Sequence, residues 1–81
     1  MIKYSKQAEK FILMQGKTSA MRLYNAIEHL PLGDVKRLHG EKNPPLYRLR
    51  VGDYRIVFHY GQDSFVILRI DNCGDVYKRM K

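Results

Sequence analysis

Leu46-Tyr-Arg-Leu-Arg-Val-Gly-Asp-Tyr-Arg-Ile-Val-Phe58 is the stretch that decides the fold. Apolar and polar residues alternate with a period of two on either side of Gly52-Asp53, so it reads as two strands joined by a hairpin. A Gly-X pair suits a two-residue hairpin loop, because glycine accepts the positive φ of the first loop position. Such a loop pairs Val51 with Tyr54, Leu49 with Ile56 and Tyr47 with Phe58, a wholly apolar face suited to a core. The opposite face pairs Arg50 with Arg55, Arg48 with Val57 and Leu46 with His59.

Downstream, Gly61-Gln-Asp reads as a three-residue turn leading into a strand over residues 64–72. That turn pairs Tyr60 with Ser64. It sends Val66, Leu68 and Ile70 to the core face, opposite Phe58, Ile56 and Tyr54. A one-residue slip would drive Arg69 and Asp71 inward, which a core rejects. Arg55 then faces Arg69, and the sequence predicts a row Arg50–Arg55–Arg69 with Arg48 beside it. Like charges opposite one another destabilise a sheet. The row therefore calls for an anion, and phosphate fits the guanidinium fork best. The alternative is Asp53 or Asp71 as counter-ion. The rest of this face is expected to be an apolar patch of Val57, Ile67, Phe65 and Leu46 around His59, covered by a partner or by the C-terminal tail. Residues 71–75 read as a turn and 76–81 as a short basic tail.

Upstream, residues 1–4 read as a short strand. Ser5 is a plausible N-cap for a helix over residues 6–15, closed by Gly16. Thr18 or Ser19 is expected to cap a second helix reaching about His29. Ala20, Leu23, Tyr24, Ile27 and Leu30 form its buried stripe, and Pro31 ends it. Residues 32–45, with Gly33, Gly40, Pro44 and Pro45, read as a basic connector anchored by Val35 and Leu38. The expected fold is α+β. A short N-terminal strand and a two-helix hairpin pack on one face of a twisted antiparallel sheet of about four strands, in one domain over residues 1–81.

Composition narrows the function. Fifteen Lys and Arg against eight Asp and Glu give a net charge of +7 in 81 residues, which implies a polyanionic partner. Cys73, His29, His39 and His59 show no metal-ligand spacing. No apolar run approaches the roughly 20 residues of a membrane span. The N-terminus lacks the apolar stretch of a signal peptide, and a lone cysteine suits a reducing cytoplasm.

The hairpin stretch, the preceding Gly33-Asp-Val-Lys-Arg-Leu-His-Gly40 and the closing Asp75-Val-Tyr-Lys78 together resemble the RelE/ParE superfamily of bacterial and archaeal toxins. The resemblance covers nearly the whole chain. It implies a RelE-like fold and the toxin of a type II toxin–antitoxin system, neutralised by a cognate acidic antitoxin. On the RelE side it implies a ribosome-dependent mRNA endoribonuclease that needs neither metal nor small-molecule cofactor. In that chemistry a ribose 2′-OH attacks the adjacent phosphate. The step needs a base, cations for the phosphorane and an acid for the leaving oxygen.

Matched by motif position, Arg48 is a base or charge stabiliser, Arg50 a phosphate clamp and Arg55 a transition-state stabiliser. Tyr77 is a stacking or proton-transfer residue. Lys36, Arg37, Arg69 and Lys78 are expected to bind the RNA. Many members carry Gly-His-Arg where this chain reads Asp71-Asn72-Cys73, so Cys73 stands where the family places an arginine acid. Alternative readings are a ParE-like DNA gyrase inhibitor and a degenerate toxin that only binds its antitoxin. A noncatalytic RNA-binding module is disfavoured, because Tyr47, Tyr54 and Phe58 fall on the core face, away from any base.

Overall fold

Ser5 begins the first helix as its sequence position suggests: its hydroxyl accepts from the Ala8 N–H at 3.1 Å. The computed structural model describes residues 1–42 and 44–72. Along the chain these form β1 (Ile2–Tyr4), α1 (Lys6–Leu13), α2 (Lys17–Glu28), β2 (Asp34–Lys42), β3 (Pro45–Val51), β4 (Tyr54–Gly61) and β5 (Ser64–Asn72). The first helix is shorter than expected. Gly16 is the N-cap of α2 and its carbonyl accepts from the Ala20 N–H at 2.9 Å. Thr18 and Ser19 therefore lie inside the helix and do not cap it. Glycine is an acceptable N-cap because its backbone adopts the extended cap conformation freely. No helix among the described residues is long and apolar enough to cross a membrane.

The sheet has five strands in the order β1-β5-β4-β3-β2, with β1 parallel to β5 and the other pairs antiparallel. The extra strand is β2, where the sequence suggested a connector. Asp34 pairs with Arg50, Val35 with Leu49, Lys36 with Arg48 and Arg37 with Tyr47 before the register shifts ahead of Lys42. Charged outward residues and that irregularity hide the strand pattern. Gly33, at φ 115°, makes the entry, and a Cβ there would lie 2.9 Å from Leu49 Cδ1.

The β3–β4 register agrees with the sequence reading at every pair from Tyr47–Phe58 to Val51–Tyr54. The β4–β5 register does not. Gly61 pairs with Ser64, so the turn has two residues, and Asp63 takes φ 60°. Phe58 then pairs with Ile67 but Val57 with Arg69, which leaves Leu68 as the extra residue of a β-bulge. The consequences are specific. Ile67 is fully buried, and Phe65 packs against the core, so neither belongs to the outer patch. Val66 and Leu68 are half-buried and leave the core to Ile67 and Ile70.

The core lies between the helices and one sheet face. Ala8 and Ile12 come from α1, Leu23 and Ile27 from α2, and Leu49, Ile56, Phe58, Ile67 and Ile70 from the sheet. Burying a large aliphatic or Phe side chain stabilises by about 1.5–3 kcal/mol, so this shared cluster is what holds helices to strands.

The first turn of α1 is also fastened to β5 by polar groups. Ser5 N–H donates to Ile67 O at 2.8 Å, and its hydroxyl to the bulge carbonyl of Leu68 at 2.7 Å. The Gln7 carboxamide then takes both backbone groups of Ile70. It donates to the carbonyl at 3.1 Å and accepts from the N–H at 3.0 Å. Strand β1 stops at Tyr4, opposite Ile67, so Gln7 supplies at Ile70 the pairing that a longer strand would have given.

Candidate functional site

The sheet face away from the core carries the charge, and its register sorts the side chains into rows across four strands. One row runs Asp34, Arg50, Arg55, Asp71. The next runs Lys36, Arg48, Val57, Arg69. Beyond it His59 pairs with Val66. Two rows of long cationic side chains therefore lie side by side, with a carboxylate at each end of the first.

Arg50 and Arg55 are direct cross-strand neighbours, as the hairpin loop requires. Both are exposed. The third arginine of the expected row is displaced. The bulge at Leu68 brings Asp71, not Arg69, opposite Arg55, and Arg69 sits one row away opposite Val57. Arg69 is still part of the group. Its Nε donates to Asp71 Oδ1 at 3.0 Å, while Arg55 Nη2 lies 3.6 Å from Asp71 Oδ2. The like-charge strain anticipated from a three-arginine row is thus met by a carboxylate.

Arg48 is held differently. Its Nη1 donates to the main-chain carbonyl of Asp34 at 3.2 Å and lies 3.5 Å from that residue's carboxylate. Its side chain is only 17% exposed. A guanidinium offers N–H donors and no acceptor. Fixed beside Asp34, Arg48 is suited to stabilising negative charge and not to removing a proton. Lys36 joins the same face opposite Arg48. Arg37 does not: it pairs with Tyr47, a member of the core-facing set, so the register assigns it to the helix side of the sheet. Tyr77, Lys78 and Cys73 lie outside the described residues.

His59 occupies the outer face two rows from the Arg50–Arg55 pair, with Nδ1 buried and without a hydrogen-bond partner among the described residues. Of the apolar patch expected around it Leu46 and Val57 remain, and Val66, expected in the core, joins them opposite His59, each half-buried. Sequence reasoning missed Asp34 as the residue that orients Arg48. The alternation Asp34-Val35-Lys36, with Val35 facing Leu49, is the signal that would have found it. Chemically, the face sets Lys36, Arg48, Arg50, Arg55 and Arg69 at neighbouring positions on adjacent strands, whose spacing is about 4.8 Å. That is an arrangement for gripping phosphodiesters and for stabilising charge that grows on one.

Comparison with known proteins gives a family and a fold. The family model for the ParE toxin of the type II toxin–antitoxin system parDE matches residues 2–77. Among solved structures, a chain of the archaeal RelE–RelB complex from Pyrococcus horikoshii OT3 superposes with a TM-score of 0.70 at 28% identity, covering 90% of this chain and 93% of that one. A chain of the RelB–RelE antitoxin–toxin complex from Methanococcus jannaschii gives a TM-score of 0.70 at 24% identity, covering 98% and 99%, a likeness of fold. No curated protein matches the chain.

Proposed function

The chain belongs to the ParE toxin family of type II toxin–antitoxin systems, within the RelE/ParE superfamily, and from that premise we propose that it is a RelE-type toxin that cuts mRNA on the ribosome. The observation that carries this reading is the Arg50–Arg55 pair, set face to face on an exposed sheet surface with Arg48 fixed one row away. A toxin that worked only by docking on a protein would not need three arginines gathered on neighbouring positions of one strand pair.

In the proposed step the ribose 2′-oxygen forms a bond to the adjacent phosphorus, and the bond from phosphorus to the 5′-oxygen breaks. The 2′-OH proton leaves to a base and a proton is returned to the 5′-oxygen. Arg50 and Arg55 hold the non-bridging oxygens as phosphorane charge develops, and Arg48 adds a second row of positive potential. Tyr77 is proposed for base stacking or proton transfer, and Lys36, Arg69 and Lys78 for the flanking RNA. An acidic antitoxin is the proposed protein partner, as RelB is the partner of RelE in the two complexes of similar fold.

Primer extension on mRNA bound to programmed ribosomes tests the reading. The natural protein should give cuts at the A site. Arg55→Ala should slow cutting by about 10²–10³-fold, the range for loss of one transition-state donor. Its fold should be little affected, because the exposed Arg55–Asp71 pair is worth about 0–1 kcal/mol. Full activity of Arg55→Ala would remove Arg55 from the site. A second reading, DNA gyrase inhibition, draws on the ParE family match and on Cys73 at the position of the family's arginine. No cutting by either the natural protein or Cys73→Arg would favour it. Cutting by Cys73→Arg alone would mark a degenerate nuclease.

A further inference from the structure

Asp71 lies between two arginines of the cationic face. Its two carboxylate oxygens are approached by different guanidinium groups, Oδ1 by Arg69 and Oδ2 by Arg55. Two non-bridging oxygens of a phosphodiester would engage the same pair of arginines in the same way. The carboxylate cannot readily withdraw. It is borne by the strand residue next to Ile70, whose backbone N–H and carbonyl are both held by Gln7, and its side chain is 26% exposed. The arginines are freer, with side chains 47% and 67% exposed for Arg55 and Arg69.

We propose that Asp71 is an internal competitor for phosphate that sets the affinity and selectivity of the arginine face for RNA. This rests on the RNA-cutting reading above and deepens it. An entering phosphate must draw Arg55 and Arg69 outward from Asp71, because the guanidinium N–H groups that would hold it are already turned toward a carboxylate. A lone phosphate gains one such exchange. An RNA backbone makes it while also meeting Arg50, Arg48 and Lys36 along the rows, so a polyanion opens the pair where a single anion does not. The bulge at Leu68 is what makes Asp71 the neighbour of Arg55, so the device is built into the strand register.

The test is a titration of purified protein with a fluorescent, short single-stranded RNA over a range of salt concentrations. Asp71→Asn should bind several-fold tighter at low salt. Its slope of log K against log salt should steepen by about 0.7, the value for one added phosphate contact on a single strand. Asp63→Asn is the control. It removes one negative charge at the exposed Gln62-Asp63 turn, which lies about 20 Å from Arg55 at 3.3 Å per strand residue. Asp63→Asn should leave the slope unchanged, and in an Arg55→Ala, Arg69→Ala background the Asp71→Asn gain should vanish.

An equal gain from Asp63→Asn, or a gain that survives loss of both arginines, reduces the effect to net charge and overturns the proposal. Equal binding by the natural protein and Asp71→Asn also overturns it while leaving the RNA reading intact. No binding by either overturns the RNA reading and the proposal with it. Circular dichroism checks that each variant is folded, and Asp71→Ser repeats the comparison if asparagine is not tolerated.

Discussion

Tyr4 keeps its phenolic proton well into the alkaline range, its pKa pushed up to about 12 from an ordinary 10. Burial is the main cause, followed by the nearby charge of Glu28 and by Tyr24. Its Oη is buried without a hydrogen-bond partner among the described residues, and its ring meets Tyr24 edge-on at 5.7 Å. The unfolded chain ionises Tyr4 near pH 10 and the folded chain near 12. Stability contributed by the neutral phenol is therefore complete below pH 10 and is lost as pH rises toward 12. Unfolding free energies from urea titration should put Tyr4→Phe above the natural protein by about 1 kcal/mol at pH 9, since the substitution removes a buried hydroxyl that has no partner among the described residues. Above pH 10 the natural protein should weaken faster than Tyr4→Phe. Parallel curves across that window would show that Tyr4 titrates alike in both states.

At the scale of the element, the β3–β4 hairpin was legible and β5 was not, for reasons visible in the residues. Gly52-Asp53 fixes a loop length, and the alternation on both sides admits one phase, so Arg50 opposite Arg55 followed directly. In β5, Phe65-Val66-Ile67-Leu68 is apolar on both faces, and period-two reasoning is silent within such a run. Only Arg69 and Asp71 set a phase there. A three-residue turn without a bulge and a two-residue turn with one give them the same outward phase. Parity cannot separate the two, so the reading kept Arg69 and Asp71 outward but named the wrong neighbour for Arg55. The strand β2 was lost for a different reason, because its charged outer residues resemble a connector.

Gln7 belongs to this scale too. A glutamine in the first turn of a helix signals nothing about a distant strand, yet it completes the bonding of Ile70. Gln7→Ala should cost about 1–3 kcal/mol by leaving those two backbone groups without partners. Chemical denaturation measures this. Hydrogen exchange should place the loss at the Ile70 amide, and unchanged protection there would mean that Gln7 is dispensable.

The whole molecule carries a net charge of +7, and most of the described cations on the outer face lie in two adjacent rows. Salt should therefore act on stability and on RNA binding with opposite signs. Screening like-charge repulsion should favour the folded state. A gain on the order of 1 kcal/mol would raise the thermal midpoint by about 4–8 °C for a domain of this size. The same salt should weaken RNA binding by counterion competition. Thermal scans and RNA titrations in matched buffers check both arms. A midpoint that falls with salt would mean that the Asp34 and Asp71 ion pairs outweigh the repulsion.

Gln7 also bears on the open edge of the sheet. A bare strand edge invites a strand from another molecule, and folded proteins suffer aggregation where they leave one open. Because β1 is only three residues long, the upper part of β5 would present such an edge. The Ser5 hydroxyl and the Gln7 carboxamide occupy its backbone groups at Leu68 and Ile70, so an approaching strand finds those positions already taken. The opposite border of the sheet is β2, where Lys36 and Arg37 set positive charge against any second copy. Beyond the end of β1 one border is closed by side chains, and the other is guarded by charge, two devices by which a small sheet resists edge-to-edge growth.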